Sequence, residues 1–167
     1  MSVTTRSPRP GERAGREYRF VSRAAFDRLR RTRQLLEWAN VHGEWYGTPK
    51  APVLSTLHAG RSVVLNIDVQ GARNVRRLLK RKAVLIFLKP PSVAQLRRRL
   101  QRRSTDSPDA IRRRLAVARR ELACAAWYDH VVVNRQMDTA VARVRRIIQR
   151  MLQRREVRAW PRSRSKS

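Results

Sequence analysis

The sequence predicts an α/β fold in which a parallel β-sheet carries helices on both faces and is preceded by a small β-rich segment. Three apolar runs support this prediction: SVVLNIDV (residues 62–69), AVLIFL (83–88) and HVVVN (130–134). Unbroken runs of this kind are typical of strands buried on both faces. Helical stretches separate the runs, and such alternation indicates parallel crossover connections. The expected order after the β-rich segment is strand–helix–strand–helix–helix–strand–helix.

The first sixty residues predict a strand, a helix, a hairpin and a second helix. Ser22 is a typical N-cap residue, so a helix should begin after it. Gly43-Glu44 indicates a hairpin turn, and Pro49 is suited to open a helix that ends before Gly60. The expected bounds are 17–21 for the strand, 22–31 for the helix, 35–42 and 45–46 for the hairpin strands, and 49–59 for the second helix.

The remaining elements follow from the three apolar runs and the capping residues between them. A helix should follow the first run to about Leu79, and Pro90-Pro91-Ser92 should cap a helix over 93–102. Ser107-Pro108 should begin a longer helix that reaches about Trp127, and Asp138 or Thr139 should begin the last one. The basic residues after about Arg155 are expected to form a disordered tail, 156–167, outside a single domain over 1–155.

The composition is that of one globular domain with a large excess of positive charge. The 167 residues are 41% hydrophobic and contain 40 lysines and arginines against 12 acidic residues, which gives a net charge of +28. The single cysteine, Cys124, excludes an internal disulfide framework. No apolar run approaches the ~20 residues of a membrane helix, and no signal peptide is recognisable. We therefore expect a cytoplasmic protein without a membrane partner.

The charge is expected to attract phosphate-bearing partners. Coding bias toward arginine, alanine, valine and proline is an equally good explanation of the excess, and the sequence leaves both open. Non-specific, salt-dependent binding of nucleic acid is one expected consequence. A dedicated nucleic-acid binder is disfavoured, because only 6% of residues are aromatic, they do not interleave with the arginines along the chain, and no nucleic-acid-binding motif occurs.

Two parts of the chain carry residues suited to phosphate chemistry. The opening loop contains Arg6 and Arg9, whose planar guanidinium groups suit a phosphate dianion, and Tyr18 and Tyr46 could add hydroxyl donors. Arginine-rich helices on either side of residues 104–107 could close over a polyphosphate. In both places a solvated basic surface is the alternative. Asp68 follows the first apolar run, where it could belong to a site or cap the next helix.

Five ordered motifs resemble those of the guanylate kinase family over nearly the whole chain, from Ser2 to about Ile148. They are SVTTRSPRPGE with the following G and Y.F, EWANVHGEWYGT, VLNIDVQGA, FLKPPS followed by LRRRLQRRSTDS and IRRRL, and YDHVVVN. The resemblance implies the P-loop nucleoside monophosphate kinase fold. It also implies transfer of a phosphoryl group from ATP to GMP, with Mg²⁺, by in-line displacement.

The resemblance also implies roles for individual residues. Glu37 could accept hydrogen bonds from guanine N1–H and N2–H, and Thr48 could donate to O6, which adenine cannot satisfy. The GMP-binding part would lie at about 2–58 and the lid at about 97–114. The implied sites are the GMP phosphate (Arg6, Arg9, Tyr18, Tyr46), guanine (Ser2, Glu37, Thr48), the ATP phosphates (Arg99, Arg103, Arg114), adenine (Asn134) and the space between the two nucleotides (Asp68).

The sequence departs from the family pattern in the part that would bind ATP phosphates. It contains no G-x-x-x-x-G-K-[ST] motif, which in the family lies in an initial strand–loop–helix of about thirty residues. Asn66 stands where aspartate is usual, Ser104 replaces a lid glycine, and Arg135 and Gln136 replace acidic residues. We expect GMP binding with little turnover; the alternatives are a non-catalytic phospholigand-binding module and a non-specific nucleic-acid binder. A coding region that extends upstream is our leading explanation, ahead of a paralogue without the motif.

Overall fold

The computed structural model describes residues 1–103 and 107–153, and of Arg103 it describes the backbone. The chain divides into two compact units, one formed by Met1–Lys80 and the other beginning at Arg81. Within the described ranges, no helix combines the length and the apolar character needed to cross a bilayer. The predicted tail, 156–167, and the lid residues 104–106 lie outside the described residues.

Residues 1–80 form a four-stranded mixed sheet with three helices. The strand order is β2-β1-β4-β3, with β1 parallel to β2 and antiparallel to β4, and with β3 and β4 joined as an antiparallel hairpin. The strands are β1 (Val3–Thr4), β2 (Arg19–Phe20), β3 (Leu35–Val41) and β4 (Glu44–Pro49), and the helices are α1 (Arg23–Arg31), α2 (Lys50–His58) and α3 (Val69–Leu79). All of these elements except the short β1 were expected from the sequence.

The turn and cap residues behave as their chemistry predicts. Gly43 has a φ of 93° in the hairpin turn, a conformation that favours glycine. The Ser22 hydroxyl accepts a hydrogen bond from Ala25 N at 3.2 Å and so caps α1. Asp68 caps α3 in the same way, with Oδ1 accepting from Gly71 N at 2.8 Å.

Cross-strand pairing assigns the side chains of the hairpin to two faces, because directly paired residues share a face. Glu37 pairs with Thr48, and both lie on the same face as Tyr46, two residues away along β4. We call this the Glu37 face. It is the side of the sheet that carries the polar residues expected to recognise a ligand.

The opposite face of the hairpin packs against α1. Trp38 and Gly47 are paired there, and Phe26 of α1 joins Val3 and Leu35 in a fully enclosed apolar cluster. A side chain at Gly47 would press on Leu35 and Phe26, at 3.0 and 3.3 Å from an added Cβ. The helix and the sheet therefore pack closely on this side, which we call the Phe26 face.

The prediction of a buried strand over residues 62–69 is wrong. Residues 61–68 form neither helix nor strand, and the Val64 side chain is 79% exposed. An extended segment becomes a β-strand only when a neighbour satisfies its backbone N–H and C=O groups. No strand within residues 1–103 and 107–153 pairs with this segment. The expected three-stranded parallel sheet is consequently reduced to two strands.

Those two parallel strands lie in the second unit. Ile86 pairs with His130 and Lys89 with Val133, and Val132 is fully buried. Leu88 is 56% exposed, so the run over 83–88 is not covered on both faces as predicted. The elements are β5 (Ile86–Lys89), α4 (Val93–Arg103), α5 (Pro108–Ala123), β6 (His130–Val133) and α6 (Met137–Gln153), with 3₁₀ turns at Lys80–Lys82 and Cys124–Trp127. The helices predicted after residues 92 and 107 are confirmed, although α5 ends at Ala123 and a 3₁₀ turn replaces its predicted continuation to about Trp127. The last helix is also found, and it begins at Met137 instead of the predicted Asp138 or Thr139.

Candidate functional site

Glu37 and Thr48 form a buried polar pair in the middle of the β3–β4 hairpin. Their side chains are 5% and 4% exposed, and Thr48 Oγ1 donates a hydrogen bond to Glu37 Oε1 at 2.5 Å. The strand pairing places them opposite each other on one face. The structure thus brings these two predicted site residues into direct contact.

The surroundings of Glu37 disfavour its ionised form. Burial raises the pKa of Glu37 above the ordinary 4.5, the hydrogen bond from Thr48 lowers it in part, and the negative charge of Asp68 raises it again. An acceptor of this kind gains from a ligand that brings N–H donors, because the donors stabilise the carboxylate that burial penalises.

Helix α3 brings its N-terminus against Glu37. A methyl group added at Gly71 would overlap Glu37 Oε2 and lie 3.1 Å from Cδ. Gly71 is therefore needed for the close approach of the helix to the carboxylate. Gly71 was not among the predicted site residues; its position three residues after the N-cap Asp68 was the available signal. Of the two readings left open for Asp68, the helix cap is confirmed.

The loop after β1 forms a second cluster around the Arg6 guanidinium group. Arg6 Nε donates to the Tyr46 hydroxyl at 3.2 Å, and Nη1 donates to the Ser7 carbonyl oxygen at 2.6 Å. The guanidinium carbon lies 5.7 Å from the ring centroid of Tyr18 and 5.8 Å from that of Phe20. Three of the four predicted phosphate residues, Arg6, Tyr18 and Tyr46, are thus brought together.

The Glu12 carboxylate connects this loop to the Arg6 guanidinium group, and this contact was not predicted from the sequence. Arg6 Nη2 donates to Glu12 Oε1 at 3.0 Å, and the Arg9 backbone N–H donates to Glu12 Oε2 at 2.8 Å. The bond from the Arg9 backbone, followed by the contact with Arg6, lowers the pKa of Glu12. The available signal was the presence of Glu12 and Glu17 in an arginine-rich loop, because a carboxylate among arginines pairs readily with a guanidinium group.

The other two residues predicted for the GMP site, Arg9 and Ser2, are less closely connected to these side-chain clusters. The Arg9 side chain is exposed, so Arg9 is tied to the cluster through its backbone. Ser2 immediately precedes β1, and its carbonyl oxygen accepts from Arg19 N at 2.9 Å. The strand pairing Thr4↔Tyr46 places the start of the arginine loop beside Tyr46.

The residues expected to contact ATP belong to the second unit. Arg99 on α4 donates from Nη2 to the Asn134 carbonyl oxygen at 3.0 Å, so these two predicted residues are neighbours. Arg114 lies half-buried on α5. Arg103 is in the last turn of α4, and its side chain lies outside the described residues. No group of three or more metal-ligating side chains lies together in the described part of the chain.

Within the first unit, the spacing of these groups fits a ligand with an anion at one end and N–H donors at the other. Tyr46 and Thr48 lie on one face of β4, two residues and so about 7 Å apart along the strand. Tyr46 belongs to the arginine cluster, and Thr48 belongs to the buried pair with Glu37. The same strand thus links an anion-binding group to an acceptor of N–H bonds.

Comparisons with known proteins agree with the resemblance found in the motifs. The chain matches the guanylate kinase family model over residues 1–151. It is 53% identical over 148 residues to a guanylate kinase of Gloeobacter violaceus, which covers 89% of this chain and 72% of the relative. A guanylate kinase of Nocardia farcinica is 49% identical over 142 residues, covering 84% of this chain and 73% of the relative.

A solved structure gives the same result for the fold. The crystal structure of guanylate kinase from Anaplasma phagocytophilum superposes with a TM-score of 0.78 at 35% identity, covering 89% of this chain and 72% of that one. The mixed α/β fold of the described residues is thus similar to that of a guanylate kinase. By family model, sequence identity and fold, the chain belongs to the guanylate kinase family.

Proposed function

We propose that residues 2–58 form the GMP-binding part of a nucleotide phosphotransferase that transfers a phosphoryl group from ATP to GMP. The family implies this reaction, with ATP as co-substrate accompanied by Mg²⁺. The observation that carries the proposal is that β4 links the two groups, since Tyr46 bonds to Arg6 and Thr48, two residues further along the same face, bonds to Glu37.

In this proposal the Glu37 carboxylate recognises the guanine base. It accepts hydrogen bonds from N1–H and N2–H, and the Thr48 hydroxyl donates to O6. Adenine has no N–H donor at these two positions, so it cannot replace Thr48 as the hydrogen-bond partner of the buried carboxylate, and the missing contacts cost about 1–3 kcal/mol. Ser2, just before β1, completes the proposed guanine site.

The phosphate of GMP is assigned to the arginine cluster. Arg6 has five N–H groups, and its bonds to Tyr46, Ser7 and Glu12 use three of them. The remaining two suit a phosphate dianion, and Arg9, Tyr18 and Tyr46 add donors to it. Holding the acceptor phosphate in a fixed orientation supports in-line attack on the donor phosphoryl group.

The donor side of the reaction is assigned to the second unit. Arg99, Arg103 and Arg114 would stabilise the negative charge that develops on the transferring phosphoryl group, and Asn134 would lie beside adenine. Asp68 would lie between the two nucleotides. MgATP supplies the phosphoryl group and its metal ion, and these residues bind and orient it.

The 167 residues contain no G-x-x-x-x-G-K-[ST] loop, whose backbone amides and lysine hold ATP phosphates in this chemistry. For a protein of these 167 residues we therefore propose binding of GMP with little turnover. Loss of one transition-state arginine costs about 10³–10⁵ in rate in related enzymes, and a missing phosphate loop should cost at least as much. A non-catalytic GMP-binding module is accordingly the second candidate function.

Calorimetric titrations of GMP, guanosine and inorganic phosphate, combined with a transfer assay with MgATP, test the proposal. We expect saturable GMP binding that is weakened at least about tenfold for guanosine or by Arg6→Gln, since each removes a charge-assisted contact. Exposed Arg19→Gln is the matched control, because it removes a charge on the adjacent strand. Equal affinity for GMP and guanosine would contradict the phosphate assignment. Turnover above about a thousandth of a typical kinase rate would contradict the loss of activity.

A further inference from the structure

One surface of the first unit stacks arginines on tryptophans. The Arg23 guanidinium carbon lies 4.6 Å from the ring centroid of Trp45, and that of Arg30 lies 5.2 Å from Trp38 and 5.5 Å from Trp45. The two indole rings are themselves 5.3 Å apart. Guanidinium and indole groups therefore interleave in space, although arginine and aromatic residues do not interleave along the sequence.

Helix α1 extends this surface with further positive charge. Residues advance by about 100° per residue around a helix, which places Arg31 about 80° and Arg28 about 140° from Arg23, on the solvent side of α1 opposite Phe26. Both side chains are exposed, as is that of Arg33 in the following turn. Residues 23–33 contain five arginines and one acidic residue, Asp27. The Arg–Trp surface, as we name it, comprises Arg23, Arg28, Arg30, Arg31, Arg33, Trp38 and Trp45.

The single acidic residue leaves most of this charge uncompensated. Asp27 pairs with Arg23 at 2.8 Å and with Arg30 at 3.3 Å, which holds these two guanidinium groups over the indole rings. Residues 23–33 keep a net charge of +4, since five arginines face one aspartate. Arg23 and Arg30 are thus held over the tryptophan rings, and the exposed Arg28, Arg31 and Arg33 are available to contact phosphates.

The proposed GMP site does not use the Arg–Trp surface. Trp38 lies on the Phe26 face of the hairpin, whereas Glu37 and Thr48 lie on the other face. Trp38 remains 37% exposed, which leaves part of an indole ring available for stacking. Phe26 of α1 is fully buried in the core and Leu29 packs against the same core, so the large apolar residues of the helix are not available to enter a membrane.

We propose that the Arg–Trp surface binds single-stranded nucleic acid. The exposed arginines contact successive phosphates, and an unpaired base stacks on the free part of the Trp38 ring. Sequence-tolerant single-strand binding combines these two elements, a basic track for the backbone and aromatic rings for the bases. A duplex keeps its bases stacked inside, so it can use only the charge.

Fluorescence anisotropy of a labelled, mixed-sequence RNA of about 15 nucleotides tests this proposal on the full 167-residue chain. The variant Arg28→Gln/Arg31→Gln/Arg33→Gln should weaken binding at least about tenfold at 0.1 M salt, and it should reduce the slope of log affinity against log salt by about 2. Melting temperatures of the variant and the parent chain establish that both are folded. Unchanged affinity in the folded variant would overturn the proposal.

The control variant removes the same charge from another helix. Arg143, Arg146 and Arg150 are exposed on α6, and their replacement by glutamine should change affinity by less than about threefold if the Arg–Trp surface is the site. Equal losses in the two triple variants would show a general effect of charge and overturn the proposal. Equal binding of heparin, or of anionic lipid vesicles, would likewise show that any polyanion suffices.

The Trp38 ring gives a second, charge-independent readout. Trp38→Leu should weaken RNA binding about tenfold, whereas Trp38→Tyr should retain it, because only an aromatic ring can stack on a base. Duplex RNA should bind more weakly than the single strand and respond little to Trp38→Leu. An equal response of both RNA forms would overturn the stacking contact.

Discussion

Thr48 Oγ1 donates a hydrogen bond to Glu37 Oε1 at 2.5 Å, and both side chains are buried in the β3–β4 hairpin. A hydroxyl has one proton, so Thr48 cannot donate to Glu37 and to a base at the same time. In the proposed GMP complex, guanine N–H groups would replace Thr48 as donors to the carboxylate, and the hydroxyl would turn toward O6. The pair would thus satisfy its own hydrogen bonds before the base arrives.

Replacing Thr48 by valine should weaken GMP binding and lower stability while keeping the side-chain shape. The variant removes the hydroxyl donor from the buried Glu37 carboxylate, which costs about 1–3 kcal/mol when the carboxylate is ionised. We expect GMP affinity to fall at least about fivefold and the melting temperature to fall at pH 7.5. Thr48→Ser keeps the hydroxyl and is the matched control. Equal behaviour of the valine and serine variants would contradict a role for the hydroxyl.

The pH dependence of GMP binding should report the ionisation of Glu37. Burial raises the pKa of Glu37 above 4.5, and guanine N–H donors require the ionised form. Affinity should therefore rise as the pH increases from about 4.5 through the pKa of the free protein, with protons released on binding. AMP is the control, since its phosphate titrates near pH 6 in the same way but its base lacks the donors. The same pH profile for both nucleotides would contradict the assignment.

The raised pKa of Glu37 also predicts that the stability of the free protein decreases as the pH rises, whereas its GMP affinity increases. Because the folded-state pKa of Glu37 lies above its ordinary value, the stabilisation is fully present below pH 4.5 and is lost as the pH rises through the folded-state pKa. Glu37→Gln should remove this dependence and melt no lower than the parent at pH 7.5. Thermal melting at several pH values measures this, and a variant that melts lower at neutral pH would show that the ionised carboxylate stabilises the fold.

Gly71→Ala should displace the Glu37 carboxylate. The added methyl group would overlap Oε2, so either the side chain or the start of α3 must move. We expect loss of GMP affinity with a smaller change in AMP affinity. Ala72→Gly is the control, because it alters the next residue of the helix without adding an atom beside Glu37. Retention of full GMP affinity by Gly71→Ala would show that the close approach of α3 is not needed.

The segment 61–68, which has no strand partner among the described residues, should make the 167-residue chain prone to association in salt. Extended apolar segments without a strand partner pair with other chains, and the net charge of +28 opposes this until salt screens it. Val64→Lys should reduce salt-induced association measured by light scattering. Val141, 49% exposed on α6, gives the control Val141→Lys. Equal effects of the two lysines would assign the association to net charge alone.

Local signals in the sequence predicted most of the helices and the hairpin. Ser22, Ser107 and Gly43 act through short-range chemistry, capping a helix or adopting positive φ, so a few neighbouring residues suffice to interpret them. The pairing of Glu37 with Thr48 could also be anticipated, because the hairpin brings them together and the family resemblance names both.

The errors came from features that depend on distant parts of the chain. Residues 62–69 have the composition of a buried strand, but strand formation needs a partner, which composition does not report. The bond between Arg6 and Glu12, and the contact of Gly71 with Glu37, depend on how loops and helices approach one another. The stacking of Arg30 on Trp38 and Trp45 arises in the same way.

The relative affinity of the 167-residue chain for GMP and AMP, measured by calorimetry before and after Glu37→Gln, tests the central claim most directly. We expect the parent chain to prefer GMP at least about tenfold, and the variant to lose most of that preference while AMP affinity changes less than about threefold. Glutamine presents an N–H donor where guanine requires an acceptor. An unchanged preference, or equal losses for both nucleotides, would contradict the assignment of Glu37 as the residue that recognises guanine.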